Sequence, residues 1–278
     1  TAEAAALRSL ERLHDGRMRA ALDTPSGRRE VTARVVVGAD GLGSRVARGV
    51  GLRRRGWLAR VAFVAHVRGV AGMGEGAELH VGRHGYAGLN PLDGERTNVA
   101  LVVPRARAVE ARGNPARFMA AALEELPGVA GRVDLGARTG PVMVTGPFDA
   151  SRRRSTVHGV VLVGDAAECF DPFTGEGICS ALIGARLAAP VLDAALERAA
   201  PVTRRALAPY RRARLRAFAG KWAVERLIGY AMLSPALFDR FVDRIGRRGL
   251  GSTMINVTGH VLPARRVLNP GFLVKAVF

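Results

Sequence analysis

Two short stretches hold the residue types that chemistry needs. In one, Asp165 follows the apolar run Val160–Val163 and Gly164, and Gly175, Glu176 and Gly177 then open an Ala-rich stretch at Ile178. In the other, Asp40 and Gly41 follow the run Val31–Val37, with Ser44 shortly beyond. Each places a carboxylate just past the carboxyl end of a strand, where open α/β sheets bind ligands. A carboxylate there accepts hydrogen bonds from hydroxyls, such as those of a ribose or ribityl chain. The glycines let backbone approach a flat or anionic ligand closely. Free N–H groups at a helix start, with the positive end of the helix dipole, favour negative charge. A plain Asp N-cap followed by a Gly turn is the alternative at either junction. Its occurrence at both favours a ligand.

The elements that must position these residues follow from pattern. Leu7–Leu13, Asp15-Gly16 and Arg17–Leu22 read as strand, turn and strand, although the Ala-rich start also suits a helix. A turn at Thr24–Gly27 leads into the strand Val31–Val37, and Ser44 opens a short helix through Arg48. Short strands with Gly-rich turns follow at Val61–Val67, Glu78–Val81, Tyr86–Leu89 and Thr97–Val103. Asn114-Pro115 starts a helix that Pro127-Gly128 ends. Strands are expected at Val142–Thr145 and Val160–Val163, then a long helix from Gly177 to about Glu197. The rest is helical in pattern, broken at Pro201, at Ser234-Pro235 and at Gly249–Gly251.

Composition narrows the function classes. The 278 residues carry a formal net charge of +18, but 40 of the 42 basic residues are Arg and only Lys221 and Lys275 are Lys. Clusters occur at Arg53–Arg55, at Arg152–Arg154 and from Arg204 to Arg216, with Tyr210 the single aromatic residue interleaved for base stacking. A solvated basic surface is favoured over nucleic-acid binding. No uninterrupted apolar run reaches the ~18 residues of a membrane span. Contact with a membrane surface stays open, as does the oligomeric state. Cys169 and Cys179 supply no disulfide framework and no metal spacing, so no metal is expected. They read as buried small apolar residues in a reduced, cytoplasmic setting, with a redox role as the alternative. The six histidines are dispersed. His66, on an apolar strand, reads as a core residue.

The motifs carry a family resemblance. "VVVGADGLGSRVAR" (35–48) resembles the Asp-Gly motif of FAD-dependent oxidoreductases and monooxygenases with the p-hydroxybenzoate hydroxylase fold. "VVLVGDAAECFDPFTGEGICSALIGARLAA" (160–189) resembles their Gly-Asp motif, and "DPFTGEGI" is most similar to the geranylgeranyl reductase-like branch. "GYAGLNPLDGERTNVALVV" (85–103) is similar to that branch's active-site strand. The resemblance implies that Gly164 and Asp165 hold the ribityl hydroxyls of FAD. It implies that Pro172, Gly175, Gly177 and Ile178 lie along the isoalloxazine ring, with backbone N–H groups facing N1 and O2. Asp40 and Gly41 match the motif near the pyrophosphate, implicated in both FAD and NAD(P)H contacts. Arg45 matches a position from which a guanidinium reaches a phosphate, with an exposed surface Arg as the alternative. Tyr86, Leu89, Asn90 and Pro91 are candidates for lining the substrate cavity, with sheet packing as the alternative. No catalytic acid or base is assigned.

These readings give an α/β fold of the FAD-binding Rossmann-like, p-hydroxybenzoate hydroxylase type. Residues 1–52 and 141–200 form a discontinuous FAD-binding domain, 53–140 an inserted, mostly β substrate domain, and 201–278 a helical C-terminal region. The family's opening strand, Gly-x-Gly-x-x-Gly turn and helix have no counterpart, because Gly72–Ala77 has the spacing but leads into a strand. The expectation is therefore a flavoenzyme without its N-terminal third, holding FAD poorly on its own. Its expected activity is reduction or hydroxylation of an apolar or aromatic small molecule, with NAD(P)H as candidate donor. A remnant or interaction module that binds no flavin is the alternative.

Overall fold

The first reversal of the chain is made by Asp15 and Gly16, in a computed structural model that describes residues 4–52, 59–148, 150–151, 154–232, 234–259 and 261–277. Gly16 takes φ +81°, and Asp15 Oδ1 accepts from the Arg17 N–H at 2.9 Å. Strands β1 (Ala6–Arg12) and β2 (Met18–Thr24) pair antiparallel across this turn, and Thr24–Gly27 turns the chain into β3 (Gly27–Ala33).

The run expected as one strand, Val31–Val37, is divided here. The charged, exposed β3 ends at Ala33, and β4 (Val36–Gly38) enters a different sheet. Arg34 stands at the corner, its guanidinium donating to the carbonyls of Leu196, Arg198 and Ala200. Ser44 then caps α1 (Arg45–Gly49), its Oγ accepting from the Ala47 N–H at 2.9 Å.

The chain continues through β5 (Arg60–Arg68), β6 (Glu78–Gly82), β7 (Gly85–Pro91) and β8 (Arg96–Pro104). Next come α2 (Arg105–Ala108), α3 (Pro115–Glu124) and β9 (Met143–Thr145). Asn114 caps α3 by accepting from the Arg117 N–H at 3.0 Å, with Pro115 at the first helical position. Four short strands follow: β10 (Ala150–Ser151), β11 (Thr156–Val157), β12 (Val160–Leu162) and β13 (Glu168–Cys169). The helices α4 (Gly177–Leu196), α5 (Ala208–Ala231), α6 (Pro235–Arg247), α7 (Gly251–Thr258) and α8 (Pro270–Val277) complete the chain. Arg53–Arg55, Arg152 and Arg153, named above as basic clusters, lie outside the described residues.

Two compact units result. The first comprises Thr1–Gly56, Ala150–Glu225 and Ser252–Asn269; the second comprises Trp57–Asp149, Arg226–Gly251 and Pro270–Phe278. The helices expected as a separate region 201–278 are thus divided between the units.

In the first unit, β4 and β12 pair in parallel with Val36 opposite Val160 and Gly38 opposite Leu162, and β11 closes the order β11-β12-β4. Both faces of β12 are covered. Val160 and Leu162 pack with Leu10, Met18, Val46 and Ala47, while Val161 and Val163 pack with Ala188, Val202, Leu207 and Tyr210. A strand buried on both sides needs a continuous apolar run, which is what Val160–Val163 supplies. Buried Tyr210 pins the end of β12 from α5, its O–H donating to the Leu162 carbonyl at 2.8 Å.

Among the described residues, α4 is the helix long and apolar enough, by length and composition, to cross a membrane. The sequence reading missed it because Arg186 and Asp193 interrupt the run. Ala188 and Ala195 are buried in the core around β12 and Ala181 lies against Gly164, while Ile178 and Leu182 are exposed.

The second unit is built on an antiparallel sheet of order β6-β7-β8-β5-β9. One face packs Phe63, Ala87, Leu89 and Leu101 against Phe118, Met119 and Leu123 of α3. Gly72–Ala77 is a loop leading into β6, as its sequence suggested.

Candidate functional site

Parallel pairing of β4 with β12 brings together motifs that are distant in sequence. Both strands end at the same edge, so Asp40 and Asp165 emerge there side by side in the chain path. Gly164 turns the chain at φ +55°, a conformation an L side chain resists, and a methyl group there would meet the Ala181 Cβ at 3.1 Å. Gly164 therefore allows α4 to pass close over the end of β12.

Asp171, Pro172 and Gly175 shape the second turn. Asp171 accepts from the Phe173 N–H at 3.0 Å, Pro172–Thr174 form a 3-10 turn, and Gly175 ends it at φ +69° with its N–H on the Pro172 carbonyl. Helix α4 then starts at Gly177 with no side-chain cap on its first N–H groups. Gly177 lies beside the first motif, since a methyl group on it would be 3.8 Å from Asp165 Oδ1. A methyl group on Gly175 or Gly41 would meet nothing within 4 Å. Ile178 is 80% exposed at this helix start. A carboxylate on one side and uncapped N–H groups with open space on the other suit a ligand with hydroxyls and an electron-rich, flat ring. The residues fit FAD as the resemblance implies.

Asp40 is engaged within its own turn. Its Oδ2 accepts from the N–H groups of Arg45 at 2.6 Å and Val46 at 3.1 Å. Desolvation works to raise its pKa, but hydrogen bonds from Ser44, Val46 and Arg45 outweigh it and hold the carboxyl below its usual range. The Arg45 guanidinium donates to the Leu7 carbonyl at 3.0 Å, tying β1 to α1.

The four substrate-side candidates are split by the pleat of β7. Leu89 lies in the core beneath α3 at 1% exposure, with Ala87 beside it. Tyr86 and Asn90 point to the opposite face, and Pro91 ends the strand opposite Thr97. Tyr86 lines a cavity of about 380 Å³ with Arg60, Arg83, His84, Arg105 and Met232. The Arg60 guanidinium stands 5.9 Å from its ring centroid. Neither thiol is in a disulfide, but the expectation of burial fails at Cys179, which is exposed on the first turn of α4; Cys169 is half-buried.

Sequence reasoning passed over a buried charge cluster at the start of α4. Lys221 Nζ on α5 lies 2.6 Å from Glu176 Oε2 and 3.5 Å from Glu225 Oε1, and donates to Ser180 Oγ at 2.7 Å. Burial raises the pKa of Glu176 against the pull of Lys221. Burial also pushes Glu225 up to about 7, again against Lys221 and with help from Glu176 and Glu168. The signal was present: Phe218, Lys221, Val224 and Ile228 form one buried stripe along α5, so Lys221 occupies a core position.

Known proteins resemble this chain in sequence and in fold. The family described as "FAD binding domain" matches residues 2–222. Digeranylgeranylglycerophospholipid reductase 2 of Methanothermobacter thermautotrophicus is 31% identical over 240 residues, 84% of this chain and 59% of that protein. Its namesake from Methanopyrus kandleri is 32% identical over 184 residues, 62% of this chain and 44% of that protein. The chain thus spans less than two thirds of the length of these relatives. A flavin-dependent brominase shares the fold with a TM-score of 0.74 at 17% identity, covering 92% of this chain and 64% of its own. A probable FAD-dependent monooxygenase from Pseudomonas aeruginosa does so with a TM-score of 0.62 at 23% identity, covering 84% and 65%. Matched over most of its length, the chain belongs to the FAD binding domain family and has the p-hydroxybenzoate hydroxylase type of fold, and the cofactor named by that family is FAD.

Proposed function

We propose that this chain holds FAD and positions an apolar small molecule for reduction by it, in the manner of a prenyl-lipid reductase. The observation that carries the reading is the uncapped start of α4 beside Asp165, with open space at Gly175. FAD supplies the electron-transfer chemistry when bound. Asp165, on the Gly164 turn, accepts the ribityl hydroxyls and fixes where the ring lies. Pro172, Gly175, Gly177 and Ile178 follow the ring, and the α4 N–H groups stabilise negative charge at the edge they face. Asp40 orders the turn containing Gly41 near the pyrophosphate, and Arg45 braces that turn against β1. Tyr86 and Asn90 line the substrate side, while Leu89 and Pro91 back the strand that presents them. NAD(P)H is the proposed source of the two electrons. Residues 1–52 and 141–200 are the proposed FAD-binding domain and 53–140 the substrate domain.

Reduction is preferred to hydroxylation because the relatives with about 30% identity are named as reductases. A prenyl-lipid substrate would bring the protein to a membrane surface. The test has two stages. Titration with FAD, followed by flavin fluorescence, should give saturable binding; none at all would leave a non-catalytic module. Anaerobic incubation with reduced nicotinamide and a prenyl lipid should then saturate double bonds. Oxygen uptake in step with substrate would assign hydroxylation instead.

A further inference from the structure

The Gly175-Glu176-Gly177 turn has little stiffness of its own, because glycine on each side leaves the backbone its widest freedom. Helix α4 begins there without a side-chain cap. Something else must hold its first N–H groups in place if they are to face a ligand. Between the two glycines, Glu176 is the one side chain available, and it turns inward, 11% exposed, onto Lys221 at 7%.

We propose that Lys221 is the positioning residue for the flavin turn, anchoring the start of α4 through Glu176 and Ser180; this rests on the flavin reading above. The ammonium reaches two residues one helical turn apart, Glu176 Oε2 at 2.6 Å and Ser180 Oγ at 2.7 Å. Its third neighbour, Glu225 Oε1 at 3.5 Å, lies one turn along α5. An ammonium is a compact tetrahedral head that can donate to Ser180 Oγ while standing within ion-pair distance of two carboxylates on two helices, an arrangement a planar guanidinium does not match. That explains a lysine here in a chain that uses arginine at 40 of its 42 basic positions. Buried ion pairs bring little net stability compared with well-packed apolar groups, so folding alone is a weak reason for this one. Its electrostatic effect is local. Unpaired, the Glu176 carboxylate would sit at the helix start and offset the positive end that faces the ring. Lys221 neutralises it and leaves the helix end available to the ligand.

The test compares the wild-type chain with Lys221→Met and with the milder Ser180→Ala, which strands no buried charge. Amide exchange is read without flavin, and FAD affinity and the flavin reduction potential are read with it. In Lys221→Met, exchange at Ser180, whose N–H donates to the Glu176 carbonyl at 3.0 Å, and at Ala181 should speed up at least about tenfold while that of β12 stays slow. The FAD dissociation constant should rise by about tenfold, and the potential should become more negative. Ser180→Ala should move all three in the same direction by less. Variants that melt, exchange and bind FAD like wild type overturn the anchor. A wild-type chain with no FAD affinity overturns the flavin reading instead, and the exchange rates still decide whether Lys221 holds the turn.

Discussion

Asp165 and Lys221 show how differently two proposed site residues can be written into a sequence. Asp165 follows an unbroken apolar run and a glycine, so its place beyond a strand end was legible. For Lys221 the stripe along α5 marked a core position but not its pairing, because Glu176 is distant in sequence and only the fold brings them within 2.6 Å. Hydrogen bonds to a carboxylate are worth about 1.5–3 kcal/mol each, so Asp165→Ala should weaken FAD binding at least about tenfold. Flavin fluorescence titration, with circular dichroism to check the fold, measures it; unchanged affinity removes Asp165 from the site. Glu225 gives a second prediction. Its pKa in the folded chain is about 7, raised by burial and by the carboxylates of Glu176 and Glu168 against the pull of Lys221. The folded state therefore holds this proton more tightly than the unfolded chain. Its contribution to stability is fully present below the ordinary value of 4.5 and is lost as pH rises through about 7. Glu225→Gln should flatten the fall in melting temperature between those limits and stabilise the chain at pH 8 by at most about 3 kcal/mol. An unaltered pH profile would show that the group does not titrate there.

Among the elements, the strands of the second unit and helix α3 were readable from alternation, Asn114 and Pro115. The break within Val31–Val37 was not, since both halves are β and only the partner changes, β2 for β3 and β12 for β4. A retrospective cue is the shift from the charged Arg28, Arg29 and Glu30 to three consecutive valines. The close crossing of α4 over β12 depends on Gly164, at φ +55° with the Ala181 Cβ 3.1 Å from where a methyl group would go. Gly164→Ala should destabilise the first unit by about 1–3 kcal/mol, and should weaken FAD binding as α4 shifts. Urea denaturation measures the loss; full stability would mean that the turn relaxes freely.

At the scale of the whole molecule, each unit has a core of its own, one around β12 and one beneath α3. Met119 is fully buried in the second. Met119→Ala should cost about 2–5 kcal/mol. In scanning calorimetry, wild-type unfolding should be broader than a single two-state transition, and the variant should move only one component of it. A uniform shift of one sharp peak would mean that the chain unfolds as a single unit. The high positive charge is partly met locally, as in the pairs Arg17–Asp15, Arg96–Asp93, Arg132–Glu78 and Arg214–Glu168.

The parallel pairing of β4 with β12 also bears on the order in which the molecule is made. Residues 36–38 leave the ribosome long before residues 160–162, and the hairpins β6–β7 and β7–β8 are complete in between. Closing so long a loop is slow unless the intervening chain has already condensed, because loop entropy must be overcome before the distant contact repays it. The second unit's sheet, made of local hairpins, shortens that search. Until β12 arrives, β4 is an apolar strand with no partner along that edge, open to pairing with other chains. The nascent protein therefore passes through an interval of aggregation risk that ends only when its proposed cofactor-binding edge is assembled, and flavin competence should be among the last properties to appear during synthesis.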